Sequence, residues 1–147
     1  MNVYITDGTE ECFYAAVFNA CTDRDCIVTS SHTVQLSLGA SVTAVRTDKQ
    51  KCERVRNKLK EYAPRSLRDI SVILRRSSSD KEQVALEYIR LIIQKKSPVG
   101  GMLSHPAVIA AREEMKKVTL EAHRFKGFLR FMEAQGGIYY APFAPDN

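Results

Sequence analysis

Residues 108–143, VIAAREEMKKVTLEAHRFKGFLRFMEAQGGIYYAPF, decide the fold class because the hydrophobic period changes within them. As far as Phe125, apolar side chains recur at spacings of three and four, which is typical of one face of an α-helix. Gly127 is predicted to end this helix in the left-handed conformation. Residues 128–133 and 138–143 then flank a glycine-rich turn, which predicts a β-hairpin. A long helix that leads into a hairpin indicates an α+β fold.

Four further segments have the helical period, and they follow Asp7, Asp48, Pro64 and Ser79. Asp7, Asp48 and Ser79 are predicted to cap the helices that follow them, and a glutamate stands three residues after Asp7 and after Ser79, as in a capping box. The segment after Ser79 is the most apolar and is predicted to be the central helix of the core. Strand patterns are few: residues 3–5, and residues 34–38 and 41–46 as a hairpin across Gly39-Ala40. Residues 22–33 show no clear pattern.

Length and composition indicate one domain that spans residues 1–147, mostly helical, with a small sheet and a C-terminal β-hairpin. The chain is 44% hydrophobic and 27% charged, which suffices for a sizeable core. No apolar run reaches about 18 residues, and the N-terminal residues do not resemble a secretory signal, so we expect no membrane association. Four cysteines occur without the Cys-x-x-Cys spacing and histidine pair of a zinc site. We therefore expect no metal, no cofactor, and reduced thiols in the cytoplasm.

Charge is distributed unevenly along the chain. Residues 1–45 carry a net charge of −4, whereas residues 46–76 hold eleven Lys and Arg against four acids, a net charge of +7. A local excess of this size attracts nucleic acid, because each neutralised phosphate releases counterions. The alternative is that these long cations only keep helix faces in water. Charge alone leaves both interpretations open.

The nine residues HRFKGFLRF, at positions 123–131, combine cationic and large apolar side chains at the predicted helix-to-strand junction. One interpretation is structural: Arg124 and Lys126 offset the partial negative charge of the helix end, and Phe125, Phe128 and Phe131 fill the core. The other is functional, because a cationic stripe on the same helix extends back to Arg112. In that case these cations bind nucleic acid together with those of the segment after Asp48. The candidate nucleic-acid-binding residues are Arg54, Arg56, Lys58, Arg112, Lys116, His123, Arg124, Lys126 and Arg130.

Motifs along nearly the whole chain resemble a bacterial family known as domain of unknown function 4130. They include residues 4–9 (YITDGT), Thr47-Asp48 with residues 53–55, residues 88–91 (YIRL), residues 105–108 (HPAV) and the long string at 121–131 (EAHRFKGFLRF). Two features depart from the family. Residues 144–147 read Ala-Pro-Asp-Asn where the family has Glu-Pro-Asp-His, and the family continues further. The chain is therefore interpreted as a fragment or as a short member.

The resemblance implies a role in DNA metabolism or DNA repair. Family members are associated with a radical SAM protein or a uracil-DNA-glycosylase-like domain, and this chain contains the catalytic motif of neither. Asp7, Glu10, Glu11 and His123 could form an acid–base or metal site only if the fold brings them together. We expect no catalytic residue, and the absence of a recognised catalytic motif favours a protein that is not itself an enzyme. Two hypotheses stay open: an accessory protein that binds DNA through a basic surface, and an interaction module that docks the partner enzyme without binding DNA.

Overall fold

The computed structural model describes residues 1–33, 35–128 and 131–142, and of Phe128 it describes the backbone. The expected α+β class is confirmed, because the described residues combine helices, a small parallel sheet and an antiparallel hairpin. The elements in chain order are β1 (Asn2–Ile5), α1 (Glu10–Ala20), β2 (Cys26–Thr29), β3 (Ser41–Ala44), α2 (Lys49–Tyr62), α3 (Ser66–Leu74), α4 (Lys81–Lys95), α5 (Pro106–Phe128), β4 (Met132–Ala134) and β5 (Ile138–Tyr140).

The small sheet has β1 at its centre, parallel to β2 on one side and to β3 on the other. Val3 lies opposite Ile27 and Val42 in the two registers. The predicted hairpin across Gly39-Ala40 is wrong: residues 35–40 form no strand, and β3 pairs with β1. Val34 lies outside the described residues. β2 arises in the segment for which the sequence predicted no element.

The helix caps confirm one prediction and correct two. Asp48 caps α2, because its Oδ1 accepts hydrogen bonds from the backbone N–H groups of Gln50 and Lys51. At α1 the cap is Thr9, whose Oγ1 accepts from the N–H of Cys12, and Asp7 instead accepts from Thr9. At α4 the N-cap position is held by Asp80 without a side-chain cap bond, so the Ser79–Glu82 capping box is wrong.

Helix α4 is the central helix of the core, as predicted. It packs against α2, α3, α5 and β2. Leu86, Ile89 and Ile92 are fully buried on it and belong to the same core cluster as Phe13 and Tyr14 of α1. Full burial of each such aliphatic side chain is worth about 1.5–3 kcal/mol, so the helices and the sheet share one core through α4.

The end of α5 differs in detail from the prediction, and the hairpin that follows is confirmed. Gly127 lies within the helix and does not end it. β4 and β5 pair antiparallel, with Met132 opposite Tyr140, and the turn between them contains Gly136 and Gly137 at positive φ. Phe131 is 67% exposed, so its predicted place in the core is wrong. Phe125 is half-buried.

No helix in the described part of the chain is long and apolar enough to cross a membrane.

Candidate functional site

The basic side chains of α2 lie on aromatic rings of α1. Lys51 Nζ is 5.6 Å and the Arg54 guanidinium 5.8 Å from the centre of the Phe18 ring. Lys51 also donates a hydrogen bond of 3.0 Å to Asn19 Oδ1. Phe18 stays 37% exposed, so two cations and a solvent-accessible ring share one patch. Stacked bases and phosphates are the groups that such a patch can bind.

The other two candidate cations of α2 also contact rings. The Arg56 guanidinium lies 5.1 Å from the centre of the buried Tyr14 ring, and Arg56 is half-buried. Lys58 is exposed, lies 5.4 Å from the Tyr62 ring and pairs with Glu61 at 3.4 Å. The hydrogen bond from Lys58 to Glu61 and the negative charge of Glu61 raise the pKa of Lys58. Arg54 and Lys58 therefore lie within one turn on the outer side of α2, whereas Arg56 is partly used in packing.

The candidate residues on α5 are exposed along its length. Arg112 Nη1 donates to the Gly100 carbonyl oxygen at 3.4 Å, and Arg124 pairs with Glu121 at 3.9 Å. Lys116, His123 and Lys126 are exposed as well. Arg130 lies outside the described residues. The structure thus places the candidates in two groups, one on α2 and one on α5, and both helices pack against α3 and α4.

Two adjoining hollows lie beside Arg112 and Lys116, between α3, α4, α5 and the loop before α5. Their volumes are about 440 and 510 Å³, and both are lined by Asp69, Tyr88 and Gly100. The hydroxyl group of Tyr88 donates a hydrogen bond of 3.4 Å to Asp69 Oδ2. We call these two hollows the Tyr88 groove. The sequence predicted the two cations at its edge but gave no signal for the groove, because its walls come from four separate segments.

The hydroxyl group of Tyr88 and the buried thiols are held in their protonated forms. Burial, and then the charge of Asp69, raises the pKa of Tyr88 to about 12, so its hydroxyl group is a hydrogen-bond donor at neutral pH. Burial likewise raises the pKa of the thiols of Cys12, Cys26 and Cys52. All four cysteines are free. A protonated thiol is a poor nucleophile, so these groups fit packing roles better than catalysis.

The predicted acid–base set is spread over separate places. Asp7 binds Thr9, and this bond lowers the pKa of its carboxyl group. Glu10 accepts a hydrogen bond from Ser71 of α3, while His123 lies exposed near the end of α5. Within residues 1–33, 35–128 and 131–142, no three His, Cys, Asp or Glu side chains are grouped so that they could hold a metal ion.

Arg90 is a residue whose importance the sequence did not reveal. Its Nη2 donates to the carbonyl oxygens of Ala20 and Asp23 and to Cys26 Sγ, and its Nη1 pairs with Glu87. One guanidinium group therefore joins the end of α1, the start of β2 and the middle of α4. Its role is structural.

Residues 79–147 match the family model described as domain of unknown function (DUF4130). The match covers α4, α5 and the hairpin. It does not extend to residues 1–78, where the resemblance seen in the sequence stays a prediction. No curated protein and no solved structure matches the chain.

Proposed function

We propose, from the match of residues 79–147 to the DUF4130 family model, that the protein is a non-catalytic accessory factor in DNA metabolism or repair. It binds nucleic acid through the exposed cations of α2 and α5. The chemical step belongs to a separate repair or modification enzyme, for which a radical SAM protein or a uracil-DNA-glycosylase-like protein is the expected partner.

The observation that carries the proposal is the unneutralised charge of α2. The helix contains six Lys and Arg residues, and within the described ranges only Lys58 among them forms an ion pair with a carboxylate. Lys51 and Arg54 are held over the exposed ring of Phe18. Ordered cations lose less conformational entropy when they meet a phosphate than flexible ones do. Such contacts neutralise phosphates without reading bases, so we propose binding with weak sequence preference.

The free thiols support a location in the bacterial cytoplasm, which is part of the same proposal. Four unpaired cysteines are typical of a reducing compartment.

A salt titration tests the proposal. The wild-type protein is titrated with labelled duplex and single-stranded DNA at several salt concentrations, beside Arg54→Gln/Lys58→Gln and Arg124→Gln/Lys126→Gln/Arg130→Gln. A plot of the logarithm of the binding constant for duplex DNA against the logarithm of the salt concentration should have a slope of about −0.9 per neutralised phosphate. Each phosphate contact that a substitution removes should make this slope less negative by about 1. Arg24→Gln/Lys95→Gln, which removes two exposed cations elsewhere, is the control for net charge. Equal slopes in all four proteins, or no binding at about 50 mM salt, would contradict the proposal.

A second candidate function rests on the hairpin. Ile138 is 64% exposed and Tyr139 63% exposed on β5, and Phe131, the residue before β4, is 67% exposed. Exposed apolar side chains in one element are typical of a docking surface, so the alternative is an interaction module that carries a partner enzyme. Phe143, also expected there, lies outside the described residues. Ile138→Ser/Tyr139→Ser separates the two functions: it should leave DNA affinity unchanged if α2 and α5 bind DNA, and it should abolish co-purification with the partner enzyme if the hairpin docks it.

A further inference from the structure

We infer that the Tyr88 groove binds a single unpaired nucleotide, with its phosphate at Arg112 and Lys116 and its base against the opposite hollow. This inference rests on the proposed function, because it assigns one subsite of the nucleic-acid surface.

The size of the groove fits this ligand. The two hollows, of about 510 and 440 Å³, meet at Asp69, Tyr88 and Gly100. Binding sites for small molecules are commonly about 300–1,000 Å³, so each hollow can hold one part of a nucleotide. A base inside a duplex could not reach the groove, and the inferred ligand is therefore a single-stranded or extruded nucleotide.

Charge favours the phosphate on the α5 side, because two cations line that hollow and one, Arg65, lines the other. Arg112 and Lys116 line that hollow together, one turn apart on the helix. Within the described residues neither forms an ion pair with a carboxylate. Asp69 lies at the junction of the hollows and would repel a phosphate placed beside it, which favours a phosphate further along α5.

The α3 side suits a base. Its wall contains the exposed apolar rings of Pro64 and Pro98, together with the side chain of Arg65 and the peptide groups of Gly100 and Gly101. Base stacking against such a surface tolerates any sequence.

Asp69 supplies a preference among bases. Tyr88 is its one hydrogen-bonding side-chain partner in the described part of the chain, and it occupies Oδ2. Oδ1 is then available to accept a hydrogen bond at the point where the base enters. Cytosine, adenine and guanine carry exocyclic amino groups that donate to a carboxylate, whereas thymine has a carbonyl oxygen at the position of the cytosine amino group. The high pKa of Tyr88 keeps its hydroxyl group bound to Asp69, which supports this arrangement.

The test is calorimetric titration of the full chain with dCMP, dTMP and inorganic phosphate at about 50 mM salt. We expect dCMP to bind at least about 5-fold more tightly than dTMP, the lower limit for one base-specific carboxylate contact. Asp69→Asn should remove this preference while keeping the acceptor for Tyr88. Lys116→Gln should weaken the binding of dCMP severalfold. Lys117→Gln is the control, because Lys117 pairs with Glu114 outside the groove, and it should leave the binding of dCMP unchanged.

The outcomes separate the two claims. Equal affinities for dCMP and dTMP in the wild type, or equal effects of Lys116→Gln and Lys117→Gln, would overturn the inference. If DNA binds in the salt titration but no mononucleotide does, the inference falls and the proposed function stands. If dCMP binds with the expected preference but DNA does not, the groove stands as a nucleotide site and the proposed function falls. If neither binds, both fall.

Discussion

Replacement of Arg90 by methionine is expected to lower the free energy of unfolding by about 2–4 kcal/mol. The Arg90 side chain is 19% exposed, and its Nη2 donates to the carbonyl oxygens of Ala20 and Asp23. Methionine retains most of the apolar stem but donates no hydrogen bond, so the carbonyl oxygens of Ala20 and Asp23 lose this charged donor and keep the Asp23 N–H and the Cys26 thiol, respectively.

The magnitude follows from these two bonds. A hydrogen bond to a charged group contributes about 1.5–3 kcal/mol, so two of them give about 3–6 kcal/mol. Arg90 lines an open hollow of about 670 Å³, where water can reach the carbonyl groups and replace part of this loss. The ion pair with Glu87 adds little, because Glu87 is 45% exposed. About 2–4 kcal/mol remains.

Thermal and urea unfolding, followed by circular dichroism, measure the effect. For a chain of this length 1 kcal/mol corresponds to about 2–4 °C, so Arg90→Met should lower Tm by about 5–15 °C. Arg68→Met, which removes an exposed arginine of α3, is the matched control and should change Tm by about 1 °C or less. Arg90→Lys should fall in between, since it keeps the charge but loses the planar group. If Arg90→Met and Arg68→Met unfold at the same temperature, the assigned role of Arg90 is wrong.

Three further predictions concern the core. Tyr14→Phe should raise the free energy of unfolding by about 1 kcal/mol, because the buried hydroxyl group has no hydrogen-bond partner among the described residues; a lower stability in urea unfolding would contradict this. Ile89→Ala should lower the free energy of unfolding by about 2–5 kcal/mol, whereas Ile109→Ala, at a partly exposed position of α5, should lower it much less. Similar decreases for the two variants would show that α4 is not the centre of the core. Stability should fall as the pH rises from about 10 to about 12, because folded Tyr88 retains its proton there while the unfolded chain releases it. Tyr88→Phe should make this decrease smaller, as measured by urea unfolding at each pH.

The helices could be predicted from the sequence because their signals are local. The apolar residues of α4 and α5 repeat over four or more turns, and Asp48 stands directly before the helix that it caps. The predicted helix ends differ from the observed ones by one or two residues. At Gly127, for example, α5 continues because nothing requires the glycine to adopt the left-handed conformation.

The parallel sheet could not be predicted in the same way. β2 and β3 have four residues each, which is too short for a periodic signal, and their partner β1 is distant in sequence. The alternation around Gly39-Ala40 therefore suggested a local hairpin, although Gly39 does adopt a positive φ. The same distinction holds for the candidate site. Its cations could be predicted from the sequence, whereas the Tyr88 groove and the contacts of Arg90 could not, because they depend on tertiary packing.

The central position of β1 has a consequence for the synthesis of the chain. Its partner residues begin 24 positions after Asn2 in β2 and 39 positions after it in β3. A ribosome adds about 5–20 residues per second, so β1 waits roughly 2–8 s before its second partner has been made. Until then at least one backbone edge of β1 has no partner, and such an edge is the kind of segment that chaperones bind and that pairs with other chains.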